Sequence, residues 1–302
     1  MLKTAEDVLA RARELAQKRK PVVAVAGAED GDVLLAVSAA VKSGMVGAIL
    51  VGNSAKIREQ LTKQSLNAAD YEIADADGLQ ATVARAVELC AQGTAHILMK
   101  GKVPTADLMK ALLAPQAGLR RGRLLSHCAV LELPGYAKLV SFTDGGVVSA
   151  PDFSQKLAIV ENAIAVSRMM GVREPKVAIL GVTNEPTPEI PSTMEAAALA
   201  RACFVRGLTP YVEGPLTLGT AFARDSECKW HSEVVGDPDI MVSHGIEEIN
   251  IGVKALCKLR NATFMGVIAG AQVPLSLVSR TDPPRNKLAS LALAAVMAGE
   301  EQ

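Results

Sequence analysis

The sequence has few aromatic residues and no excess of charge of either sign. Aromatic side chains make up 3% of the 302 residues, whereas hydrophobic residues together make up 49%. The core must therefore be built from Ala, Val, Leu and Ile, which suits buried parallel strands flanked by helices. The 32 basic and 32 acidic side chains give a net charge of zero. A generally basic nucleic-acid binder is therefore not expected.

Cysteines and long apolar runs are also scarce. The five cysteines are odd in number and form no CxxC pair, which indicates a reduced, cytoplasmic protein rather than a disulfide framework or zinc module. The N-terminal 20 residues carry charges throughout and lack the apolar core of a signal peptide. Because no run of about 18 uninterrupted apolar residues is present, we expect no association with a membrane.

Several motifs of known catalytic sites are absent. The sequence contains no GxGxxG, GxxxxGK[ST] or GxSxG, so it offers no support for the common nucleotide-binding loops or for an α/β-hydrolase triad. None of the four histidines pairs with another His or a Cys at metal-ligand spacing, and no metal is expected. The loop Gly27–Gly31 could accept an anion at a helix N-terminus, although an ordinary βα turn is the simpler interpretation.

Short β-branched runs alternate with helical stretches along most of the chain. This alternation predicts βαβ units and mostly parallel sheets. The segment 128–143 breaks the rhythm with two strand-like runs joined by PGY, and it predicts a hairpin or a crossing between domains. We expect two α/β domains, one formed by 1–138 with 280–302 and the other by 139–279. The working site is then expected in the cleft between them.

Cationic residues recur where predicted strands end. Three groups share this position: Lys100; Arg120, Arg121 and Arg123, in a loop that ends at Ser126 and His127; and Arg280, Arg285 and Lys287. Ligands of open parallel sheets gather at the carboxyl ends of the strands, so the three groups predict a polyanionic small ligand. For any one group alone, solvated loop charge is an equally good interpretation.

Asp144 is a candidate catalytic carboxylate because it directly follows the strand-like run 139–143. It can equally cap the helix that begins near Phe153. Asp152, immediately before that helix, is better placed for the capping role.

Seven segments, in order, resemble the phosphate acetyltransferase/phosphate butyryltransferase family. They are LMKGKVPTADLMKALL (98–113), GLRRGRLLSHCAVLELPGYAKL (118–139), FTDGGVVSAPDFSQKLAIVENA (142–163), PKVAILGVTNEPTPEIPSTMEAAAL (175–199), VEGPLTLGTAF (212–222), VVGDPDIMV (234–242) and VPLSLVSRTD (273–282). SRTD and KGKVPT are closer to the butyryl branch. The resemblance implies two α/β domains of the isocitrate/isopropylmalate dehydrogenase-like type, an interdomain cleft and a homo-oligomer, a dimer or larger.

The implied reaction is acyl-CoA + phosphate ⇌ acyl phosphate + CoA, with an acetyl or butyryl group. CoA is a substrate, and neither a metal nor an organic cofactor is required. The CoA thiol needs a base or a positive field, the attacked carbonyl needs an oxyanion donor, and phosphate suits the planar fork of Arg. Ser279 can donate to the carbonyl oxygen and Arg280 can hold phosphate, while Asp282 or Asp144 can serve as the base.

Other residues of the family-like segments are assigned to substrate binding. They are Lys100, Thr105, Arg121, Arg123, Ser126 and His127. For the catalytic pair a structural alternative stays open, in which Ser279 caps the last helix and Arg280 makes a surface ion pair.

The sequence departs from the family pattern at several polar positions. Val148 replaces an Asn, Gly219 replaces an Asp, Asn286 stands where the acetyl branch places a base, and 243–250 differs in its ending. These departures support an alternative, a non-catalytic protein that binds CoA or acyl phosphate on the same fold. A decarboxylating dehydrogenase of the related fold is a third hypothesis. It would need a metal-binding carboxylate cluster and a dinucleotide loop, and the sequence shows neither.

The cationic loop leads to a first prediction. Changing Arg121 and Arg123 together to Ala should raise the dissociation constant for CoA, because exposed phosphate contacts contribute electrostatic attraction that salt screens. Calorimetric titration at low and high ionic strength measures this effect. An unchanged affinity at low ionic strength would remove this loop from the binding site.

Overall fold

The computed structural model describes residues 1–120, 122–223 and 230–300, and the chain divides into two compact units. Unit I comprises Ala5–Arg123 and Met265–Gln302, and unit II comprises Met1–Thr4 and Leu124–Phe264. Both units are mixed α/β structures with mostly parallel strands. Among the described residues, no helix is both long and apolar enough to cross a membrane.

The N-terminal part of unit I alternates strands and helices as the sequence predicts. Its elements are α1 (Ala5–Lys18), β1 (Val22–Ala26), α2 (Gly31–Lys42), β2 (Gly47–Gly52), α3 (Ser54–Lys63), β3 (Glu72–Asp75), α4 (Leu79–Ala91), β4 (Ile97–Lys100) and α5 (Thr105–Leu113).

Unit II continues the alternation after an antiparallel hairpin. Its elements are β5 (Ser126–Glu132), β6 (Leu139–Thr143), α6 (Phe153–Met169), β7 (Val177–Leu180), α7 (Pro191–Val205), β8 (Val212–Leu216), α8 (Leu218–Ala221), β9 (Ile240–Val242) and α9 (Ile246–Leu259). The chain then passes along β10 (Thr263–Ala269) into unit I, where it forms β11 (Leu275–Ser276) and α10 (Pro284–Glu300).

The strands of unit I lie in the order β3-β2-β1-β4-β11-β10. All neighbouring pairs are parallel except β10 and β11. Ala26 pairs with Lys100, and Ser276 pairs with Met99. The loops that follow β1, β4 and β11 therefore emerge at one edge of the sheet, where ligands of such sheets bind.

Two of these loops are joined by close backbone contacts that require glycine. The Gly101 amide donates to the Ala26 carbonyl at 2.9 Å, and the Lys102 amide donates to the Gly27 carbonyl at 2.6 Å. A Cβ on Gly101 would lie 2.2 Å from the Gly27 carbonyl oxygen, which is shorter than a side chain can tolerate. The absence of a side chain at Gly101 thus allows the edge loops to approach.

The strands of unit II lie in the order β5-β6-β9-β7-β8, with β5 and β6 antiparallel and the others parallel. Of the two interpretations of 128–143, the structure shows the hairpin. Asp152 caps α6 in a complete capping box with Gln155, as the sequence indicates. Asp144 is not the cap of this helix.

The unit boundaries differ from those placed by the sequence at 138/139 and 279/280. The chain divides at 123/124 and 264/265 instead. The hairpin keeps β5 with β6 through pairs such as Cys128 with Thr143. Strand β11 pairs with β4, so 265–279 belongs with unit I. Pairing between strands that are distant in sequence therefore moves both boundaries.

Helix α10 supplies much of the core of unit I. It is buried at nearly every position from Asn286 to Ala298 and packs against α1, α2 and β11. Apolar residues occur on all faces of this helix because other elements of unit I pack against it on several sides. The helix begins at Pro284, and proline is well tolerated in a first turn.

The burial of α10 predicts an asymmetry between two leucines. Leu291→Ala should lower the free energy of unfolding by about 2–5 kcal/mol, since it removes a fully buried side chain and leaves a cavity. Leu79→Ala, at a partly exposed site in the same unit, should change it by less than about 0.5 kcal/mol. Urea denaturation measures both values. Equal losses would contradict the packing described for α10.

Candidate active site

Two lysines and an arginine meet at the carboxyl edge of the unit I sheet. Lys100 ends β4 and is 8% exposed, and Lys287 in the first turns of α10 is 1% exposed. Burial lowers the pKa of Lys100, and the positive charges of Arg280 and Lys287 lower it further, while Asp30 opposes the shift. A bound anion would offset the repulsion among these three positive charges. The arrangement therefore suits the polyanionic ligand that the sequence predicts for this edge of the sheet.

The ammonium of Lys287 holds the loop that precedes its own helix. Its Nζ donates to the Arg280 carbonyl at 3.3 Å and makes a short hydrogen bond to the Asp282 carbonyl. The Asp32 carboxylate lies 3.9 Å away. A buried ammonium is stable only with such partners. These hydrogen bonds therefore attach the loop 279–282 to the core helix α10.

The same loop is also closed from within. The Ser279 amide donates to Asp282 Oδ2 at 2.7 Å, and the Asp282 amide donates to the Ser279 carbonyl at 3.1 Å. Ser279 Oγ lies 3.2 Å from Thr281 Oγ1. Because α10 begins at Pro284, Ser279 does not cap it, and the capping alternative is wrong. The hydroxyl lies in an exposed turn whose backbone is fixed.

Arg280 is exposed, and within the described part of the chain it makes no ion pair. The surface-pair alternative for its guanidinium therefore has no support among the described residues. Its carbonyl accepts a hydrogen bond from Lys287, and its positive charge acts on Lys100. The loop therefore carries a cation at the position next to Ser279.

The loop Gly27–Gly31 is an ordinary βα turn. Asp30 caps α2, and its side chain accepts from the Val33 amide at 3.0 Å. An acidic side chain thus occupies the helix N-terminus that an anion would need. The cap favours the ordinary-turn interpretation over anion binding, and Asp30 contributes negative charge near Lys100.

The other residues assigned to substrate binding in unit I have simpler surroundings. Thr105 is the first residue of α5, directly after Pro104. Arg123 is exposed at the end of unit I. Arg121 lies outside the described residues.

Asp144 organises a turn in unit II. Its carboxylate accepts from three successive amides, those of Gly146 at 2.7 Å, Val147 at 3.0 Å and Val148 at 3.2 Å. Only the backbone of Val148 takes part, so the departure from Asn at this position leaves the turn intact. The lone pairs of Asp144 are largely occupied in this geometry.

His127 is a buried imidazole next to that turn. Its Nδ1 has no hydrogen-bond partner among the described residues, and a Cβ on Gly146 would lie 3.2 Å from the ring. Burial lowers the pKa of His127, although the Asp144 charge raises it in part. The ring is therefore neutral near pH 7 and carries an available nitrogen.

Asparagines support both sides of this cluster. Asn162 on α6 donates to Ser126 Oγ at 2.9 Å, and Asn250 on α9 donates to the Gly145 carbonyl at 2.8 Å. Sequence reasoning assigned no site role to either asparagine. It grouped Lys287 with Arg280 and Arg285 as cations near a polyanionic ligand, but it did not predict that the Lys287 ammonium holds the loop. A signal for burial was present, since Lys287 precedes the otherwise apolar stretch LASLALAAVM within α10.

The predicted site residues thus form one group in each unit. Unit I brings together Lys100, Ser279, Arg280 and Asp282, and unit II brings together Ser126, His127 and Asp144. Across the described ranges, no group of three or more His, Cys, Asp or Glu side chains has the geometry of a metal site.

Comparison with known proteins assigns the chain to a family. The family described as "Phosphate acetyl/butaryl transferase" matches residues 6–82 and 78–295. The chain belongs to this family. The phosphate butyryltransferase of Clostridium acetobutylicum is 33% identical over 308 residues, covering 100% of both chains. The phosphate acetyltransferase of Rhizobium meliloti is 37% identical over 266 residues, covering 87% of this chain and 84% of that protein.

A solved structure shows the same relationship. The branched-chain phosphotransacylase of Enterococcus faecalis V583 superposes with a TM-score of 0.82 at 28% identity. The match covers 92% of this chain and 99% of that structure. Both groups of site residues lie within the residues that the family match spans.

The role of Lys287 can be measured by hydrogen exchange. Lys287→Met should raise the exchange rates of the Ser279 and Asp282 amides by about tenfold, because each loop carbonyl loses a charged donor worth about 1.5 kcal/mol. Lys42→Met, at an exposed site on α2, serves as the matched control and should leave both rates unchanged. Unchanged exchange rates of these amides in Lys287→Met would show that the hydrogen bonds within the loop are sufficient to keep it ordered.

The burial of His127 predicts a pH dependence of stability. Since its pKa is lowered in the folded state, only the unfolded chain binds the proton as pH falls below about 6.5, so stability decreases with acidification. Between pH 6.5 and 5.5 the wild type should lose up to about 1 kcal/mol more than His127→Gln. Urea titrations at several pH values measure the difference. Parallel losses in the two proteins would contradict this account.

Proposed function

We propose that the chain transfers a short acyl group between CoA and phosphate, with an acyl phosphate as the other partner. One observation carries the proposal: the exposed Ser279 and Arg280 lie on a loop fixed above two buried lysines. That loop belongs to a chain aligned end to end with a phosphate butyryltransferase. Positive charge held in a rigid position is what phosphate and a developing oxyanion both require.

The carbonyl chemistry is assigned to Ser279. In the direction of acyl-CoA formation, the CoA thiolate attacks the carbonyl carbon of the acyl phosphate. The C–S bond forms, the C–O bond to phosphate breaks, and phosphate leaves with the bonding electrons. During attack the carbonyl oxygen becomes negative, and the Ser279 hydroxyl donates to it. Its fixed backbone keeps the donor in place through the reaction.

The phosphate is assigned to Arg280, with Lys100 and Lys287 behind it. The guanidinium offers a fork of donors that matches two phosphate oxygens. The Lys287 ammonium contributes positive field rather than a direct contact, since it is engaged with the loop carbonyls. This arrangement stabilises phosphate as a leaving group and lowers the barrier in either direction.

The base that takes the thiol proton is assigned to one of the carboxylates. The carboxylates of Asp282 and Asp144 both accept hydrogen bonds from backbone amides of their own loops. Either one, acting as the base, would take the thiol proton on a remaining lone pair. The neutral His127 is assigned to binding, where Nδ1 can accept a hydrogen bond from a buried polar group of the substrate.

No cofactor is needed for this chemistry, because acyl transfer between sulfur and oxygen involves no net oxidation. CoA enters as a substrate. A cytoplasmic location is supported by the cysteines that the structure describes: Cys90, Cys128, Cys203 and Cys257 are free thiols. Burial raises the pKa of Cys90 and Cys128 to about 12, so these two thiols stay protonated and unreactive.

Self-association is also part of the proposal. Among the described residues, unit I exposes two large apolar side chains, Leu35 and Leu79, and the others are in unit II. The larger share of exposed apolar side chains on unit II favours an interface formed through that unit, consistent with a homodimer or larger assembly.

The non-catalytic alternative is not favoured. The full-length relatives are named as transferases, and the retained Ser279, Arg280 and Asp282 form a single closed loop. At Gly219 an added Cβ would meet only Thr217 Oγ1, at 3.9 Å. The glycine at this position therefore borders open space, and the replacement of the family's Asp by Gly219 disrupts no contact within the described residues.

Substitution of Ser279 tests the proposed function. Ser279→Ala should lower kcat for phosphate-dependent acyl transfer about 10²–10³-fold, the usual effect of deleting one oxyanion donor. Its melting temperature should change little, because the hydroxyl contacts only Thr281 among the described residues. Thr281→Val removes the same contact and is the matched control. Arg280→Lys should also lose activity, since an ammonium lacks the bidentate fork. Full activity in Ser279→Ala would place the site elsewhere.

A further inference from the structure

Lys100 is a buried lysine whose amine has few partners within the protein. It is 8% exposed, and within the described part of the chain its Nζ donates only to the carbonyl of the next residue, Gly101, at 3.3 Å. Lys287, in contrast, donates to two carbonyls and has the Asp32 carboxylate 3.9 Å away. Because an ammonium carries three donors, Lys100 keeps hydrogen-bonding capacity for a group that the protein does not supply.

The ends of β4 and β11 bring this amine to the loop of Ser279 and Arg280. Met99 of β4 pairs in parallel with Ser276 of β11, so both strands end at the same edge of the sheet. Lys100, the residue after Met99, therefore lies beside the loop, where the charge of Arg280 acts on it. An acyl phosphate held there by its phosphate and its carbonyl oxygen has its carbonyl carbon next to the Lys100 amine.

The surroundings of Lys100 favour the neutral amine, which is the nucleophilic form of lysine. Burial lowers the pKa of Lys100, and the positive charges of Arg280 and Lys287 lower it further, while Asp30 opposes the shift. An acyl phosphate is a mixed anhydride, whose carbonyl carbon reacts with amines as well as with thiolates. A site that activates this carbonyl for CoA therefore also activates it for a neighbouring amine.

We propose that Lys100 is a self-acylation site, which takes the acyl group from bound acyl phosphate when CoA is absent. The inference rests on the proposed function, because acyl phosphate must occupy the loop of Ser279 and Arg280. The ammonium first gives one proton to solvent, and its nitrogen then attacks the carbonyl carbon. The C–N bond forms, the C–O bond to phosphate breaks, and phosphate leaves with the bonding electrons. Phosphate also takes up the proton that the nitrogen loses as the amide forms.

Acylation of Lys100 switches the site off. The amide is uncharged, so the cations at this edge of the sheet lose one positive charge. The acyl chain also takes up space beside Arg280 that phosphate needs. CoA protects the enzyme, because its thiolate removes the acyl group from the site before the amine reacts. The modification thus limits the enzyme when acyl phosphate accumulates without CoA.

Peptide mass spectrometry after exposure to acetyl phosphate provides the test. The full chain is incubated with acetyl phosphate in the absence of CoA and digested with a protease that does not cleave at lysine. Lys102 is the matched control, because it is exposed two residues away in the same loop. In the folded protein Lys100 should be acetylated at least about tenfold faster than Lys102. Its rate should saturate with acetyl phosphate and fall when inorganic phosphate is added, and in the urea-unfolded chain the two lysines should react at similar rates.

Three substitutions separate binding of the reagent from reaction with it. Arg280→Ala should lower the acetylation rate of Lys100 about tenfold, because the phosphate end of the reagent is no longer held. Arg58→Ala, at an exposed site on α3 in the same unit, should leave that rate unchanged. Lys100→Arg cannot form the amide, so its own transfer activity should stay constant during exposure. The activity of the wild type should fall in proportion to the acetylated fraction of Lys100.

The outcomes separate the failures. Equal acetylation of Lys100 and Lys102 in a folded protein that transfers acyl groups to phosphate would overturn the inference and leave the proposed function in place. Faster acetylation of Lys100 without loss of activity, or an equal loss of activity in Lys100→Arg, would overturn the inactivating effect. Selective and saturable acetylation of Lys100 in a protein without transfer between CoA and phosphate would overturn the proposed function and keep the acylation site.

Discussion

The buried ammonium of Lys287 is the constraint on which the unit I site depends. A charge at 1% exposure must have partners within the protein, and the partners available are the carbonyls of Arg280 and Asp282. Satisfying the lysine therefore also fixes the loop that carries Ser279 and Arg280. The exposed site gains its rigidity from a residue that no substrate needs to touch, and the core helix α10 provides the anchor.

In unit II a carboxylate, that of Asp144, fixes the backbone of a loop in the way that the Lys287 ammonium does in unit I. Asp144 gathers three amides into a turn, and that turn lies against the buried ring of His127. In both units the edge of a parallel sheet ends in a loop whose backbone is held by one charged side chain. Positive charge from Lys100, Arg280 and Lys287 dominates the unit I group, whereas the unit II group is neutral or acidic, so the two groups differ in the substrate atoms they suit.

Much of this could be predicted from the sequence, and the failures have physical causes. Alternation of β-branched runs and helices predicted both α/β units, since local periodicity reports which faces are buried. The boundaries were misplaced because β11 joins β4 across more than 170 residues of sequence, a pairing that no local pattern encodes. Lys287 was predicted only as a cation near the ligand, because a lysine near the start of a helix is usually exposed to solvent. Its burial depends on tertiary packing, which local sequence patterns do not encode.

The central claim is that the loop of Ser279 and Arg280 serves acyl transfer to phosphate. Its most direct test follows CoA thiol release from a panel of short acyl-CoAs, with and without inorganic phosphate, while acyl phosphate is quantified in parallel. The account predicts release that requires phosphate and matches acyl phosphate mole for mole, with an acetyl or butyryl group among the substrates. Binding of CoA without thiol release from any acyl-CoA in the panel, or release that is independent of phosphate, would contradict it.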